Sequence, residues 1–323
     1  MENKKPNIKT IAILFFAVYF FAWGLGGCNK AEANTLKINS NQKIKLDKNG
    51  DVFYKWPYKW KFSYAMDYWK EKNIQEISYN TRLGNSALRF EMEPGSCGKT
   101  HTGWDDCKNG SNGSERYEML PYNKDKSIGL NGNTWITMSF FIKEFTDDNG
   151  HNSVVQFHND GDWMPMFNWS IENGLMLQRR TACNTSVKRL KMGCSAWDKG
   201  NYIKTVLSED EVFNQWNDIV FNINFTTKDT GFLKMWINGK LVYHYVGPIK
   251  PPNKGGNYSN NSAMQFGIYR HHNVDLYEHT QVHYYDEIRY AKKKCAKLKL
   301  EDLGYSCSDV EKQEMVYVDT IQN

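Results

Sequence analysis

Three short strings hold residue types able to do acid–base and anion chemistry. They are Glu115-Arg116-Tyr117-Glu118-Met119, Val155-Gln156-Phe157-His158-Asn159 and Met264-Gln265-Phe266-Gly267-Ile268-Tyr269-Arg270. Each alternates polar with apolar residues, the two-residue period of a half-buried strand. Arg116 and Glu118 then share a face, as do Gln156 with His158 and Gln265 with Tyr269, where Gly267 leaves a gap. A concave sheet presenting these groups suits β-elimination on a uronic acid polymer, in which a base takes the C5 proton and the 4-linked sugar departs. That proton is weakly acidic. The neighbouring carboxylate must be neutralised and the enolate charge held by fixed donors, a task for Arg, Gln and His. A base and an acid must flank the sugar, and His and Tyr fill those roles.

Strands must position these groups, and the rest of the chain reads as strands. Runs at residues 88–93, 134–142, 153–158, 166–171, 175–179, 219–225, 232–237, 241–246, 263–269 and 281–290 recur between Gly, Asn and Asp turns. No long amphipathic helix or repeat interrupts them. Ile219, Phe221, Ile223 and Phe225 alternate with residues that include Asn222 and Asn224, which predicts one buried face. Asn238-Gly239 between two such runs predicts a tight hairpin, because both residues tolerate positive φ. Residues 43–323 are expected to form a single all-β sandwich, since β domains of about 200–250 residues commonly stay undivided. The charged segment 292–323 is expected to pack only through Cys295 and Cys307.

The N-terminus carries Lys4, Lys5 and Lys9, then an uncharged apolar run at residues 11–25. The run is short for a membrane span and has the flanks of a signal peptide. It ends in Leu25-Gly26-Gly27-Cys28, which resembles the lipobox of bacterial lipoproteins; that resemblance implies acylation of Cys28 and removal of residues 1–27. Residues 28–42 read as a polar tether. The expected location is outside the cytoplasm, lipid-anchored to a bacterial membrane, in the periplasm or at the cell surface. Six cysteines remain in three close pairs, Cys97 with Cys107, Cys183 with Cys194, and Cys295 with Cys307, as an oxidising compartment permits. Local pairing is the simplest of several connectivities. The formal charge of +5 falls to +3 once three Lys and one Glu leave with the leader. This is too little for nucleic-acid binding as a default, yet it suits an anionic substrate in a local basic groove. Arg179, Arg180, Lys188, Arg189 and Lys191 form one basic stretch, and His271 and His272 follow Arg270 towards the same cleft. The chain has no Gly-rich phosphate loop, Ser elbow or HExxH string.

Taken in order, the strings resemble a concanavalin-like polysaccharide lyase family that includes heparin lyase I and glucuronan lyase, and more distantly alginate lyases. The likeness also takes in Gly95-Ser96-Cys97-Gly98, Trp104-Asp105-Asp106-Cys107, Trp216-Asn217-Asp218-Ile219, Trp236-Ile237-Asn238-Gly239-Lys240 and Tyr285-Asp286. It implies a jelly-roll β-sandwich of two antiparallel sheets and a lyase acting on an anionic, uronate-containing polysaccharide. It implies His158 as base or carboxylate neutraliser, and Tyr269 as acid, or as both acid and base. Arg116 and Gln156 would hold the carboxylate, with Glu118 orienting Arg116. Gln265, Arg270 and His271 complete the expected substrate-binding set. Relatives often carry Lys where this chain has Gln265, so its subsite lacks that charge. No cofactor is expected, with structural calcium left open: Asp147-Asp148-Asn149-Gly150 begins like a calcium loop but lacks its twelfth-position Glu. A monomer is expected. Two other functions fit the same elements. A glycan-binding lipoprotein without catalysis is favoured by Gln265. A glycoside hydrolase needs two carboxylates across the cleft, and no strand carries a paired-Glu motif.

Overall fold

The computed structural model describes residues 53–54, 59–62, 73–97, 105–109, 113–122, 130–145, 151–159, 165–179, 182–183, 191–192, 202–250, 262–271, 279–315 and 319–320. The expected leader, Cys28, the tether, Cys194, residues 147–150, and most of the basic stretch lie outside them. In chain order the strands are β1 (Phe53–Tyr54), β2 (Lys59–Phe62), β3 (Ile74–Ile77), β4 (Ala87–Met92), β5 (Ser114–Tyr122) and β6 (Gly132–Ile142). Then come β7 (His151–Asn159), β8 (Phe167–Ile171), β9 (Leu175–Arg179), β10 (Ala182–Cys183), β11 (Lys191–Met192) and β12 (Tyr202–Leu207). Last are β13 (Trp216–Phe225), β14 (Phe232–Ile237), β15 (Lys240–Val246), β16 (Ser262–His271), β17 (Gln281–Lys292) and β18 (Asp319–Thr320). Among the described residues three short α-helices, α1 (Asp106–Asn109), α2 (Glu209–Val212) and α3 (Cys307–Lys312), and two 3-10 turns at Cys295–Leu298 and Leu300–Leu303 accompany them.

Two sheets dominate. One has the order β12-β9-β8-β7-β16-β5-β2, and the other β18-β15-β14-β13-β6-β17-β4-β3 with β1 beside β17. Pairing is antiparallel apart from the two-residue edge pairs β1–β17 and β15–β18. This is the expected all-β sandwich. Asn238 (φ 49) and Gly239 (φ 78) both take positive φ between β14 and β15, as the predicted hairpin requires. Strand-like runs matched strands to within a few residues. β3 and β12, like β1, β2, β10, β11 and β18, fall in no such run; in β3 and β12 Gln75-Glu76 and Lys204-Thr205 dilute the apolar pattern.

The core lies between the sheets and is dense in aromatic rings. Phe157 meets Phe221 edge-on at 5.4 Å, Trp169 meets Phe221 at 4.9 Å, and Phe266 lies 5.0 Å from Tyr285. Such pairs add about 0.5–1.5 kcal/mol each beyond area burial. One expectation fails on the other side of the nine-stranded sheet. Val220 is as buried as Phe221, so β13 has two covered faces. The cover is the C-terminal segment, through Leu298, Leu300, Leu303 and Val310. They form a second core with Trp135, Val220, Trp236 and Leu241. Trp135 and Trp236 stack there with centroids 5.6 Å apart. The segment therefore packs by far more than its disulfide. Asp218 fastens it at one edge, accepting from Arg82 Nη2 (2.9 Å), Ser139 Oγ (2.6 Å) and Tyr305 Oη (2.9 Å). The Cys295–Cys307 disulfide closes the segment on itself, as expected.

Replacing Cys295 and Cys307 together by Ser is expected to lower stability by about 3 kcal/mol. Leu300→Ala is expected to cost about 2–5 kcal/mol. Urea unfolding followed by tryptophan fluorescence reads both, and wild-type midpoints in both variants would show the cap to be unimportant to the fold.

Candidate active site

β16 lies between β5 and β7, and the register of these three strands gathers the site. Tyr269 stands opposite Arg116 on one side and Ser153 on the other, and Gly267 stands opposite Glu118. Gln265 stands opposite Gln156, and Ala263 opposite His158. Directly opposed residues share a face. Arg116, Glu118, Gln156, His158, Gln265 and Tyr269 therefore occupy one face of the seven-stranded sheet. Met119, Val155, Phe157, Met264, Phe266 and Ile268 fill the core on the other. Gly267 has to be glycine here: a Cβ would sit 2.2 Å from the Tyr117 carbonyl oxygen.

The polar groups form a connected floor. Gln156 Nε2 donates to Glu118 Oε1 at 2.6 Å, and Gln156 Oε1 meets His158 Nε2 at 3.0 Å. With Glu118 ionised, its carboxylate accepts and orients the amide, whose oxygen then accepts from the Nε2–H tautomer of His158, the tautomer with its lone pair on Nδ1. Arg116 lies over the Tyr269 ring, its Cζ 4.2 Å from the centroid. Burial raises the Tyr269 phenol above its ordinary pKa despite the opposing pull of Arg116 and of a hydrogen bond with Ser114. Glu118 is fully enclosed. Burial lifts its pKa to about 7 against the attraction of Arg116 and the Gln156 bond, with Asp106 adding repulsion.

Two site assignments change. Arg116 was expected to be oriented by Glu118, yet its closer carboxylate is Asp106, with Nε–Oδ2 at 3.1 Å against 3.7 Å from Nη1 to Glu118 Oε2. Asp106 opens α1, and the Cys97–Cys107 disulfide beside it holds that turn against β5. The strand pattern of 115–119 gives no sign of this, because Asp106 comes from α1 ahead of the strand; its place beside Cys107 is the available signal. Arg270 was expected to bind substrate. It is 0% exposed, faces away from the site, and pairs with buried Glu115 while donating to the carbonyls of His279 (3.0 Å) and Glu93 (3.3 Å). Strand alternation demands this, since Arg270 follows Tyr269 directly. The His271 side chain and His272 lie outside the described residues.

A family profile described as polysaccharide lyase matches residues 34–289. The chain belongs to the polysaccharide lyase family. No curated protein sequence matches it. Among solved structures, the lyase is similar to an endo-β-1,4-glucuronan lyase from the fungus Trichoderma reesei, at 16% identity over 72% of this chain and 92% of that one, TM-score 0.47. It is similar to alginate lyase AlgAT5 of polysaccharide lyase family 7, at 13% identity over 72% and 92%, TM-score 0.44. It is also similar to alginate lyase PA1167 from Pseudomonas aeruginosa, at 12% identity over 70% and 88%, TM-score 0.44.

Among the described residues one group has metal-like proximity, Cys97, Asp105 and Cys107. Both thiols are joined in the disulfide, so the group does not fit calcium, which takes oxygen ligands.

The Glu118 pKa makes a prediction with a definite sign. Its folded value, about 7, lies above the ordinary 4.5, so the folded protein keeps a proton that the unfolded chain releases. Stability is then greatest below pH 4.5 and falls as pH rises to 7, by roughly 3 kcal/mol from this group. Glu118→Gln is expected to flatten that part of the slope in urea unfolding between pH 4.5 and 8. Asp286, also raised, to about 8, adds a slope of the same sign that the variant leaves in place. Parallel curves for wild type and variant would mean that Glu118 titrates normally.

Proposed function

We propose that this polysaccharide lyase cleaves a uronate-containing anionic polymer by β-elimination on the floor formed by Arg116, Glu118, Gln156, His158 and Tyr269. The observation that carries the reading is the hydrogen-bonded row Glu118–Gln156–His158 on the same face as the Arg116–Tyr269 stack. The Arg116 guanidinium and the second Gln156 N–H hold the uronate carboxylate, and the same donors take up the enolate charge as it forms. His158 Nδ1 takes the proton from C5. The electron pair left behind forms the C4=C5 double bond and expels the C4 oxygen, to which the Tyr269 hydroxyl gives its proton. The raised phenol pKa keeps that proton in place at neutral pH.

The same reading places the lyase outside the cytoplasm, as a monomer anchored through acylated Cys28 after loss of residues 1–27, with residues 43–323 as its one catalytic domain. It requires no cofactor and has no nucleic-acid partner. Gln265 supplies hydrogen bonds without charge, so carboxylate recognition at its subsite rests on amide dipoles.

Incubation of residues 43–323 with a panel of acidic polysaccharides is expected to raise the ultraviolet absorbance of the unsaturated uronate with at least one polymer. His158→Ala and Tyr269→Phe are each expected to lower that rate about 10²–10⁴-fold while leaving the circular dichroism spectrum unchanged. Binding without product would favour a glycan-binding role. Full turnover in both variants would remove these residues from the mechanism.

A further inference from the structure

The register of the site strands slips where Tyr269 needs to be placed. Between β16 and β7, Phe266 pairs with Val155 and Tyr269 with Ser153, so Gly267 and Ile268 oppose Val154 alone. Between β7 and β8, Ser153 pairs with Ser170 and Val155 with Trp169, leaving Val154 without an opposite number. The two irregularities meet, and Gly267 adopts φ +143° there. A bulge takes backbone groups out of the ladder, and buried carbonyls then need another donor.

That donor comes from the opposite sheet. Tyr285 on β17 is fully buried, its ring 5.0 Å from Phe266 and 5.2 Å from Phe90. Its hydroxyl crosses the core to the Gly267 carbonyl at 2.6 Å and the Val154 carbonyl at 3.1 Å. His283 Nδ1 lies 3.3 Å from the same hydroxyl, and burial holds this imidazole neutral. One phenol thus joins both bulged strands within two residues of Tyr269 and within one of Ser153.

We propose that Tyr285 is a positioning residue for the reaction: its hydroxyl clamps the paired bulges of β7 and β16 and so sets the Tyr269 phenol over Arg116. The inference rests on the proposed roles of Tyr269 and Arg116. Tyr285 never meets substrate, since the sheet lies between them. Removing the hydroxyl takes away the single proton that the Gly267 and Val154 carbonyls share, leaves His283 as the remaining core donor to Gly267, and lets the bulges relax by shifting Gly267 and Val154. Arg116, Gln156 and His158 keep their own contacts, so binding is spared and proton transfer is not.

Tyr285→Phe tests this against Ile223→Val, a core change remote from the bulge. Backbone hydrogen exchange in segments 153–155 and 266–269 is expected to speed about ten-fold or more in Tyr285→Phe and to stay unchanged in Ile223→Val. The kcat for the polymer that wild type cleaves is expected to fall about ten-fold or more, with KM within about two-fold, in Tyr285→Phe only. The Tyr269 titration, followed by the ring-carbon NMR signal that Tyr269→Phe removes, is expected to move towards the free-phenol value. A wild type that cleaves no polymer would defeat the functional reading alone, because exchange and titration still decide the clamp. Unchanged exchange and titration overturn the inference, as does unchanged kcat in an active enzyme, or an equal kcat loss in Ile223→Val. Should Tyr285→Phe fail to fold, His283→Gln, which keeps the phenol and removes the imidazole that orients it, is read in the same way.

Discussion

Along β5, β7 and β16 every side chain that reaches the core has neighbours that cannot. Phe157 packs on Phe221 and Trp169, and Phe266 on Phe90, because the sandwich needs their burial. The intervening residues Gln156, His158, Gln265 and Tyr269 are thereby forced to the other face in a row across neighbouring strands. Fixing a polar side chain costs up to about 2 kcal/mol of rotamer entropy, and a loop would also have to supply backbone order. Here the core has already ordered the backbone, so the site inherits rigidity from apolar packing on its reverse side. A strict two-residue period has one defect: it fixes the phase of every residue. The bulges at Val154 and Gly267 relieve it locally, and do so where Tyr269 must meet Arg116.

The electrostatics of the floor follow from the same enclosure. Arg116 has two carboxylates within ion-pair distance, Asp106 and Glu118, and an aromatic face beneath it. Were both acids fully charged, the guanidinium would offer little net attraction to a third carboxylate. Burial prevents this by lifting Glu118 to about 7, so near neutral pH it is charged only in part. Asp106 aligns Arg116 from the side through the disulfide-tethered turn, while Glu118 spends its hydrogen bond on Gln156. A cation oriented by one acid and incompletely neutralised by the other can still attract a further anion.

Much of this was legible in the residues. The period of Ile219, Phe221, Ile223 and Phe225, the Asn238-Gly239 turn and the polar row of the three strings all express local backbone rules, and local rules survive into the structure. What escaped was set by distant parts of the chain. The period of residues 219–225 predicts one buried face, and nothing within them announces the cap of Leu298, Leu300 and Leu303 that covers Val220. Asp106 reaches Arg116 from the short helix α1. Arg270 is one more basic residue beside Tyr269 in sequence, yet strand phase alone turns it to the opposite face, where it is buried against Glu115.

The cap on the far sheet also bears on the site, through β17. This strand carries Tyr285 towards the core, and just beyond it the register with β6 shifts between Asp286 and Arg289, with Glu287 at φ 52. Asp286 is held at that irregularity by the backbone amides of Arg82, Leu83 and Glu287, and Arg289 donates to the carbonyl of Leu298 in the cap. One strand therefore has the cap on its outer side and the paired bulges of β7 and β16 across the core from its inner side. Buried carbonyls tolerate small changes in donor position poorly, because hydrogen bonds weaken steeply with misalignment. A cap that holds β17 in place at Arg289 thus limits how far the Tyr285 hydroxyl can drift from Gly267, and the ordering of the floor reaches through both layers of the sandwich to the segment that covers its back.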